Sequence, residues 1–306
     1  MKHLASEAHL LNFTMKKNKK RKLDIAVISD VHLGTFGCRA TELHNYLKTI
    51  NPKILILNGD IIDIWQFNKR YFPKSHMKVI KQLMSFITSG TKVYYITGNH
   101  DEMLRRFEGF RLGSFEIVNK VVLDIDGKKG WFFHGDVFDI TMQHSKWLAK
   151  LGSVGYDSLI ILNTVVNWVS EKLGYSRLSF SKKIKNSVKG AIKFIDDFES
   201  TAADIAIDNN YEYVVCGHIH KAEMRMIKNE KGETLYLNSG DWIENLTALE
   251  YVNKCWSLYE YEKDEIAQKI PYDIEVSDVE LIKAEQTTSQ LFNDLLIEFN
   301  IQKFSK

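Results

Sequence analysis

The stretch Asp24-Ile25-Ala26-Val27-Ile28-Ser29-Asp30-Val31-His32 decides how this chain is read. A short, almost wholly apolar run stops at a polar cluster of metal-competent side chains, and the same figure recurs along the sequence. Later runs are Ile54 to Leu57, before Gly59-Asp60; Val93 to Thr97, before Gly98-Asn99-His100-Asp101; and Trp131 to Phe133, before His134-Gly135-Asp136. Tyr213 to Cys216 precedes Gly217-His218-Ile219-His220, and Thr234 to Leu237 completes the series. Runs this short, rich in Ile, Val, Tyr and Phe and bounded by turn residues, read as strands covered on both faces. Between the earlier ones lie helix-compatible segments, Arg39 to Ile50 and Ser75 to Ser89, with apolar residues three and four apart. Alternating strand and helix predicts an α/β core.

Between the fourth and fifth runs the rhythm breaks. Residues 139–209 carry helical periodicity without strand-like alternation, which predicts an inserted helical cap in a domain spanning 23–262. A basic N-terminal tail, 1–22, precedes that domain, and a C-terminal extension, 263–306, follows it with an amphipathic helix expected over Val276 to Asn300. The tail carries Lys16-Lys17-Asn18-Lys19-Lys20-Arg21-Lys22 with no apolar stretch or cleavage site behind it, unlike a secretory signal. A chain of 306 residues with 44% hydrophobic content can bury a sizeable core, which excludes a disordered or fibrous class. The 41 Lys and Arg against 39 Asp and Glu leave a formal charge of +2, so no global field attracts nucleic acid. No aromatic-interleaved basic surface is evident either, and no nucleic-acid partner is expected. Three scattered cysteines, Cys38, Cys216 and Cys255, predict a reducing, cytoplasmic setting. The most apolar stretch, Leu159 to Val169, is far short of the roughly 20 residues of a membrane-spanning helix. The oligomeric state is left open.

In open α/β sheets the loops at the carboxyl ends of the strands meet in one crevice, so five separated motifs can converge. Seven candidate metal ligands result: Asp30, His32, Asp60, Asn99, His134, His218 and His220. Mixed imidazole and carboxylate ligation suits Mn²⁺, Fe²⁺ or Zn²⁺ better than Mg²⁺ or Ca²⁺. Seven ligands exceed the needs of one four-coordinate ion and suit two ions sharing a bridging carboxylate. Asp30-Val31-His32 alone could be a helix-entry turn, and His134 alone a core histidine. Five motifs, each directly after an apolar run, make separate explanations of that kind improbable.

The set resembles the calcineurin-like metallophosphoesterases, whose pattern of D-x-H, GD, GNH-D/E, H and G-H-x-H these residues match from Leu23 to about Tyr261. The resemblance implies a β-sandwich flanked by helices and two divalent ions, Mn²⁺ foremost, bridged by Asp60 and a hydroxide. It also implies that Asp30, His32 and His220 complete one ion's shell and Asn99, His134 and His218 the other's. Two ions roughly 3.5–4 Å apart would lower the pKa of a bridging water and spread the charge developing on a phosphoryl group. His100 is then the candidate proton donor or transition-state stabiliser, with Asp101 expected to orient it. Asn99, His100 and His218 would also face the substrate.

The closer likeness is to the UDP-2,3-diacylglucosamine diphosphatase family of lipid A biosynthesis, in its GNHD-bearing branch. Gly59-Asp60-Ile61-Ile62-Asp63-Ile64-Trp65, His134-Gly135-Asp136-Val137-Phe138-Asp139 and Asn238-Ser239-Gly240-Asp241-Trp242-Ile243-Glu244-Asn245 carry it. The departure is His100, where the better-known branch has arginine. The likeness implies a nucleotide-sugar lipid substrate, cleaved to UMP and a diacylglucosamine 1-phosphate; an acyl-chain cleft in the cap would also suit docking at the cytoplasmic face of the inner membrane. From Lys172 to Lys193 the chain has seven basic residues and no acid, and Lys182, Lys185, Lys189 and Lys193 share one helical face. That stripe either grips the diphosphate, through Lys185 and Lys189, or is a solvated face. Leu148, Leu151, Leu159 and Leu162 with their apolar neighbours either fill the cap's core or line an acyl-chain cleft. Two other readings remain: a dinuclear phosphodiesterase or pyrophosphatase acting on another nucleotide derivative, and a non-catalytic binding scaffold of the same fold.

Overall fold

The computed structural model describes residues 20–64, 72–138 and 183–270, with backbone alone over residues 183–194. The expected 1–19 part of the tail, most of the cap, its apolar cluster and the helix over Val276 to Asn300 lie outside the described residues. Among the described residues no helix is long and apolar enough to cross a membrane.

Two sheets face each other. In the first, β1 (Arg21–Ile28), β2 (Ile50–Asn58), β3 (Lys92–Ile96) and β5 (Phe115–Val118) run parallel. β11 (Thr247–Val252) pairs antiparallel with β1, β12 (Cys255–Glu260) antiparallel with β11, and β4 (Arg111–Leu112) antiparallel with β5, which completes the order β12-β11-β1-β2-β3-β5-β4. The second sheet has the order β6-β7-β8-β10-β9, with β7 (Lys128–Phe133), β8 (Tyr213–Cys216) and β10 (Gly232–Asn238) parallel. Antiparallel β6 (Lys120–Ile125) and β9 (Glu223–Asn229) form its edges.

The apolar runs follow from what lies on either side of them. Ile25, Val27, Ile56 and Ile96 point between the sheets to meet Phe132, Val215 and Leu237. Their neighbours Ala26, Ile28, Leu55 and Leu57 point outward onto α1 (Ala40–Thr49) and α2 (Lys74–Thr88), through Leu43, Leu47, Val79 and Phe86. On the far side, Trp131, Phe133, Val214 and Tyr236 are covered by Phe198, Ala202 and Ala206 of α3 (Lys183–Asp208). Strands buried on both faces lose the alternation of a half-exposed strand, because every position faces a core. The result is the expected sandwich flanked by helices, in four layers.

Two boundaries differ from the expected division. β1 begins at Arg21, inside the basic cluster, where its guanidinium bonds Glu250 Oε2 at 2.9 Å. The packed body runs past Tyr261 into α4 (Glu265–Gln268), whose Ala267 is fully buried in the core with α1.

Candidate metal centre

All the parallel strands that carry a motif deliver it from their carboxyl ends to one end of the sandwich. β1 supplies Asp30 and His32, β2 Asp60, β3 Asn99 and His100, β7 His134, and β8 His218 and His220. The first two loops are zipped together: Val31 N and His32 N both donate to Asp60 O at 2.9 Å, and Asp30 N donates to Gly59 O at 3.1 Å. Asp30, His32, Asp60, His218 and His220 all have φ between 51° and 69°. That left-handed backbone costs a non-glycine residue roughly 1–2 kcal/mol, and strain of this kind gathers where function fixes the geometry. Glycines allow the close approach. A Cβ at Gly59, itself at φ +85°, would stand 2.2 Å from His134 Nδ1, and one at Gly217 would stand 2.5 Å from Asp30 Oδ2.

The donors fall into three overlapping groups, Asp30–His32–His220, His32–Asp60–His100 and Asp60–His134–His218, each with its ligand atoms within 4.8 Å of one another. Asp60 joins the last two. His32 stacks on His220 with ring centroids 5.5 Å apart, and His134 meets His218 edge-on at 5.1 Å. His134 Nδ1 lies 3.0 Å from the carbonyl oxygen of Asn58, which can only accept, so this nitrogen carries the proton and Nε2 faces inward. Nε2 stands 3.2 Å from Asp60 Oδ2 yet makes no hydrogen bond, and His32 Nε2 is likewise buried without one. Two buried imidazole nitrogens without a hydrogen bond, both facing a cluster of buried carboxylates, are the donor chemistry of a divalent cation. Burial alone would raise the Asp60 carboxyl and lower His134. Their mutual attraction wins, holding Asp60 well below the usual carboxylate range and His134 well above that of imidazole.

Further contacts fix the carboxylate of Asp30 and support His220 from behind. Asp30, fully buried, accepts from His218 N at 3.1 Å and stands 3.3 Å from His220 Nε2. Behind His220, Asp241 collects the amides of Ile243, Glu244 and Asn245 through Oδ1, while its Oδ2 lies 3.6 Å from His220 Nδ1. Burial would raise the Asp241 carboxyl, but His220 and these amides bring it down to about 2.

Asp101 does not orient His100. Its Oδ1 accepts from Gly98 N at 2.6 Å, and its Oδ2 from Tyr95 Oη at 2.6 Å and Ile61 N at 3.0 Å. It thus pins the loops that carry Asn99 and Asp60. The neighbour of His100 is Asp63, whose Oδ2 lies 2.8 Å from His100 Nδ1 and 3.5 Å from His32 Nδ1. Burial opposes charge on His100, and the bond to Asp63 with the field of Asp60 outweighs it, so its pKa is raised. Asp63 and Asp241 are the residues that sequence reasoning missed. Both stood in stretches already singled out, Asp63 as a second carboxylate three residues after Asp60.

The helix α3 bears on the expected lysines. Phe198 packs its ring 6.3 Å from that of His218 and fills the space a Cβ at Gly135 would need. From there the helix runs back to Lys183. At about 1.5 Å per residue, the backbones of Lys189 and Lys185 lie about 14 and 20 Å along the axis from Phe198. Their side chains, and Lys182, lie outside the described residues.

A helix-flanked sandwich that gathers imidazoles and carboxylates around one shared aspartate defines a metal-dependent phosphoester hydrolase. The calcineurin-like phosphoesterase family model matches residues 23–222, and the chain belongs to that family. Among curated proteins it is similar to a UDP-2,3-diacylglucosamine hydrolase of Aliivibrio fischeri (strain MJ11), 24% identical over 78% of this chain and 99% of that one. It is also similar to the UDP-2,3-diacylglucosamine hydrolase of Blochmanniella pennsylvanica (strain BPEN), 24% identical over 68% of this chain and 84% of the relative. Among solved structures, an archaeal phosphodiesterase aligns at 15% identity and a TM-score of 0.38 over 77% of this chain and 98% of that one.

Proposed function

We propose that this chain cleaves the diphosphate of UDP-2,3-diacylglucosamine, releasing UMP and 2,3-diacylglucosamine 1-phosphate, a step of lipid A biosynthesis. The observation that carries the chemistry is Asp60, shared between two groups of histidines in which His32 Nε2 and His134 Nε2 lack hydrogen bonds. Asp30, His32, Asp60 and His220 would hold one divalent ion, and Asp60, Asn99, His134 and His218 a second, with Mn²⁺ the first choice and Fe²⁺ or Zn²⁺ alternatives for such a donor set. When bound, such ions activate water and neutralise charge on phosphoryl oxygens.

The chain's own residues do the rest. Asn58 O fixes the His134 tautomer, and Asp241 supports His220, so both rings present Nε2 inward. Asp63 accepts a hydrogen bond from the Nδ1–H of His100, which turns Nε2 toward the space for a substrate oxygen. From there His100 donates a proton to the departing phosphate or steadies charge on the phosphoryl group. Asn99 and His218 flank the same space.

Support for the substrate comes from the relatives' names, and from apolar side chains at the same end of the sandwich. Phe36 follows the β1 motif, Met103 the β3 motif and Val137 the β7 motif, and all three are exposed. Charge at the centre with hydrocarbon around it suits an amphiphile. The insertion at about 139–209 would cap the site, Lys185 and Lys189 gripping the diphosphate, and the protein would work at the cytoplasmic face of the inner membrane. Purified protein with Mn²⁺ and UDP-2,3-diacylglucosamine should release UMP, read by mass spectrometry. Hydrolysis of bis(p-nitrophenyl) phosphate without UMP release would refute the substrate and leave the metal chemistry standing.

A further inference from the structure

Glu199, on α3, is a fully buried carboxylate outside the candidate metal centre. Its Oε1 accepts from Lys221 Nζ at 3.2 Å, and its Oε2 pairs with Arg225 Nη2. Both cations are more than two-fifths exposed, Lys221 at 43% and Arg225 at 45%, so the desolvation falls almost wholly on Glu199. An apolar residue would lie beside Phe198 and Ala202 without that cost, and a buried ion pair is weak support for stability. What the charge can supply is a defined position, and the residues it ties are specific. Lys221 directly follows His220, and Arg225 stands at the start of β9, so both ends of the segment that leaves the histidine motif are bound to one carboxylate.

That segment needs holding. His218 and His220 have φ of 69° and 53°, a backbone that side-chain-bearing residues leave when they can. The loop's amino half is held from within, by Gly217 N to His134 O at 3.0 Å, by His218 N to Asp30 and by Asn238 Nδ2 to Gly217 O at 2.9 Å. At its carboxyl half Asn245 Nδ2 donates to His220 O at 2.7 Å, and Lys221 then pairs with Glu223 at 3.1 Å and reaches outward to Glu199, on a helix whose preceding residue, Phe198, packs on His218. We propose that Glu199 is a positioning residue: its carboxylate anchors Lys221 and Arg225 so that His218 and His220 keep their ligating geometry against α3. This role rests on the reading that both histidines hold metal.

The test uses the full chain stripped of metal, titrated with Mn²⁺ by calorimetry. Hydrogen–deuterium exchange is followed in parallel at the amides of residues 213–222 in the metal-free state. Glu199→Gln is expected to weaken Mn²⁺ binding by about 10–100-fold, the effect of losing an outer support of a metal ligand, and to speed exchange around residues 217–221. Asp208→Asn removes an exposed pair with Lys231 near the other end of α3 and should leave both readouts at wild type. Lys221→Met keeps Glu199 paired with Arg225 but removes the bonds of Lys221 to Glu199 and Glu223 together; it should reproduce both effects while Glu223→Gln should not, so this pair decides the matter if Glu199→Gln does not fold. Unchanged exchange and affinity would overturn the proposal, and faster exchange with unchanged affinity would reduce Glu199 to a structural tie. A wild-type protein that binds no Mn²⁺, yet exchanges slowly where both variants exchange fast, would sink the metal reading and leave the anchor in place.

Discussion

Asp63 and Asp101 are both buried carboxylates within reach of the candidate catalytic loop, and the structure gives them opposite tasks. Asp63→Asn replaces the oxygen 2.8 Å from His100 Nδ1 with a group that carries no charge and can present a donor to a donor. A hydrogen bond to a charged partner is worth about 1.5–3 kcal/mol. If that stabilisation is used in the transition state, its loss lowers kcat by roughly 10–150-fold at about 1.4 kcal/mol per decade. Asp101→Asn leaves His100 alone but sets an amide against Gly98 N, which now donates to Oδ1 at 2.6 Å. The expected cost is stability, about 1.5–3 kcal/mol for one charge-assisted bond, or a Tm lower by roughly 3–12 °C in a chain of this size. Thermal melts by circular dichroism and steady-state kinetics on bis(p-nitrophenyl) phosphate, each at verified metal content, separate the two. A large loss of kcat in folded, metal-loaded Asp101→Asn with Asp63→Asn near wild type would refute the reasoning.

Gly59→Ala would place a Cβ 2.2 Å from His134 Nδ1 at a φ of +85°. Left-handed strain and the lost bond to Asn58 O should together cost about 2–3 kcal/mol, read as a lower Tm and weaker metal binding. His76 accepts from Gly34 N at 3.0 Å through Nδ1, and burial lowers its pKa from 6.5 to about 4. Its folded pKa is the depressed one, so the unfolded chain binds the extra proton, and the contribution is complete above pH 6.5 and fades as pH falls towards 4. His76 should contribute a loss of ~3 kcal/mol across that window, read in denaturant titrations as the difference in slope between wild type and His76→Asn. Replacing both Lys185 and Lys189 with Glu should cut kcat/KM strongly for the nucleotide-lipid and by less than about threefold for bis(p-nitrophenyl) phosphate, if the pair grips the diphosphate. Equal losses on both would restore the solvated-face reading.

The strands legible in the sequence were those whose carboxyl ends reach the site, because an apolar run followed by a polar motif is the mark of a buried parallel strand ending in a functional loop. Antiparallel β11 is buried almost throughout, but it points the other way and carries Glu250 in its middle. β9 lies at an edge with Arg225 and Lys228 exposed, so its run is not apolar. Asp101 was the natural partner for His100 on the chain alone, yet adjacent side chains diverge. The acceptor comes instead from 37 residues away, through a loop pairing in which Ile64 N donates to His100 O. Sequence spacing carries no trace of that contact. The placement of Phe198 against His218 was equally hidden, since the helical periodicity of residues 183–208 gives a face but not its partner.

Whether seven residues, Asp60 shared among them, hold two ions is tested most directly by metal stoichiometry. Apo protein dialysed against Mn²⁺ and then against metal-free buffer is assayed by inductively coupled plasma mass spectrometry, alongside Asp60→Ala. Two ions per folded wild-type chain, and loss of both in the variant, are expected. One ion or none in the wild type, or two retained without the Asp60 carboxylate, would contradict the shared two-ion site.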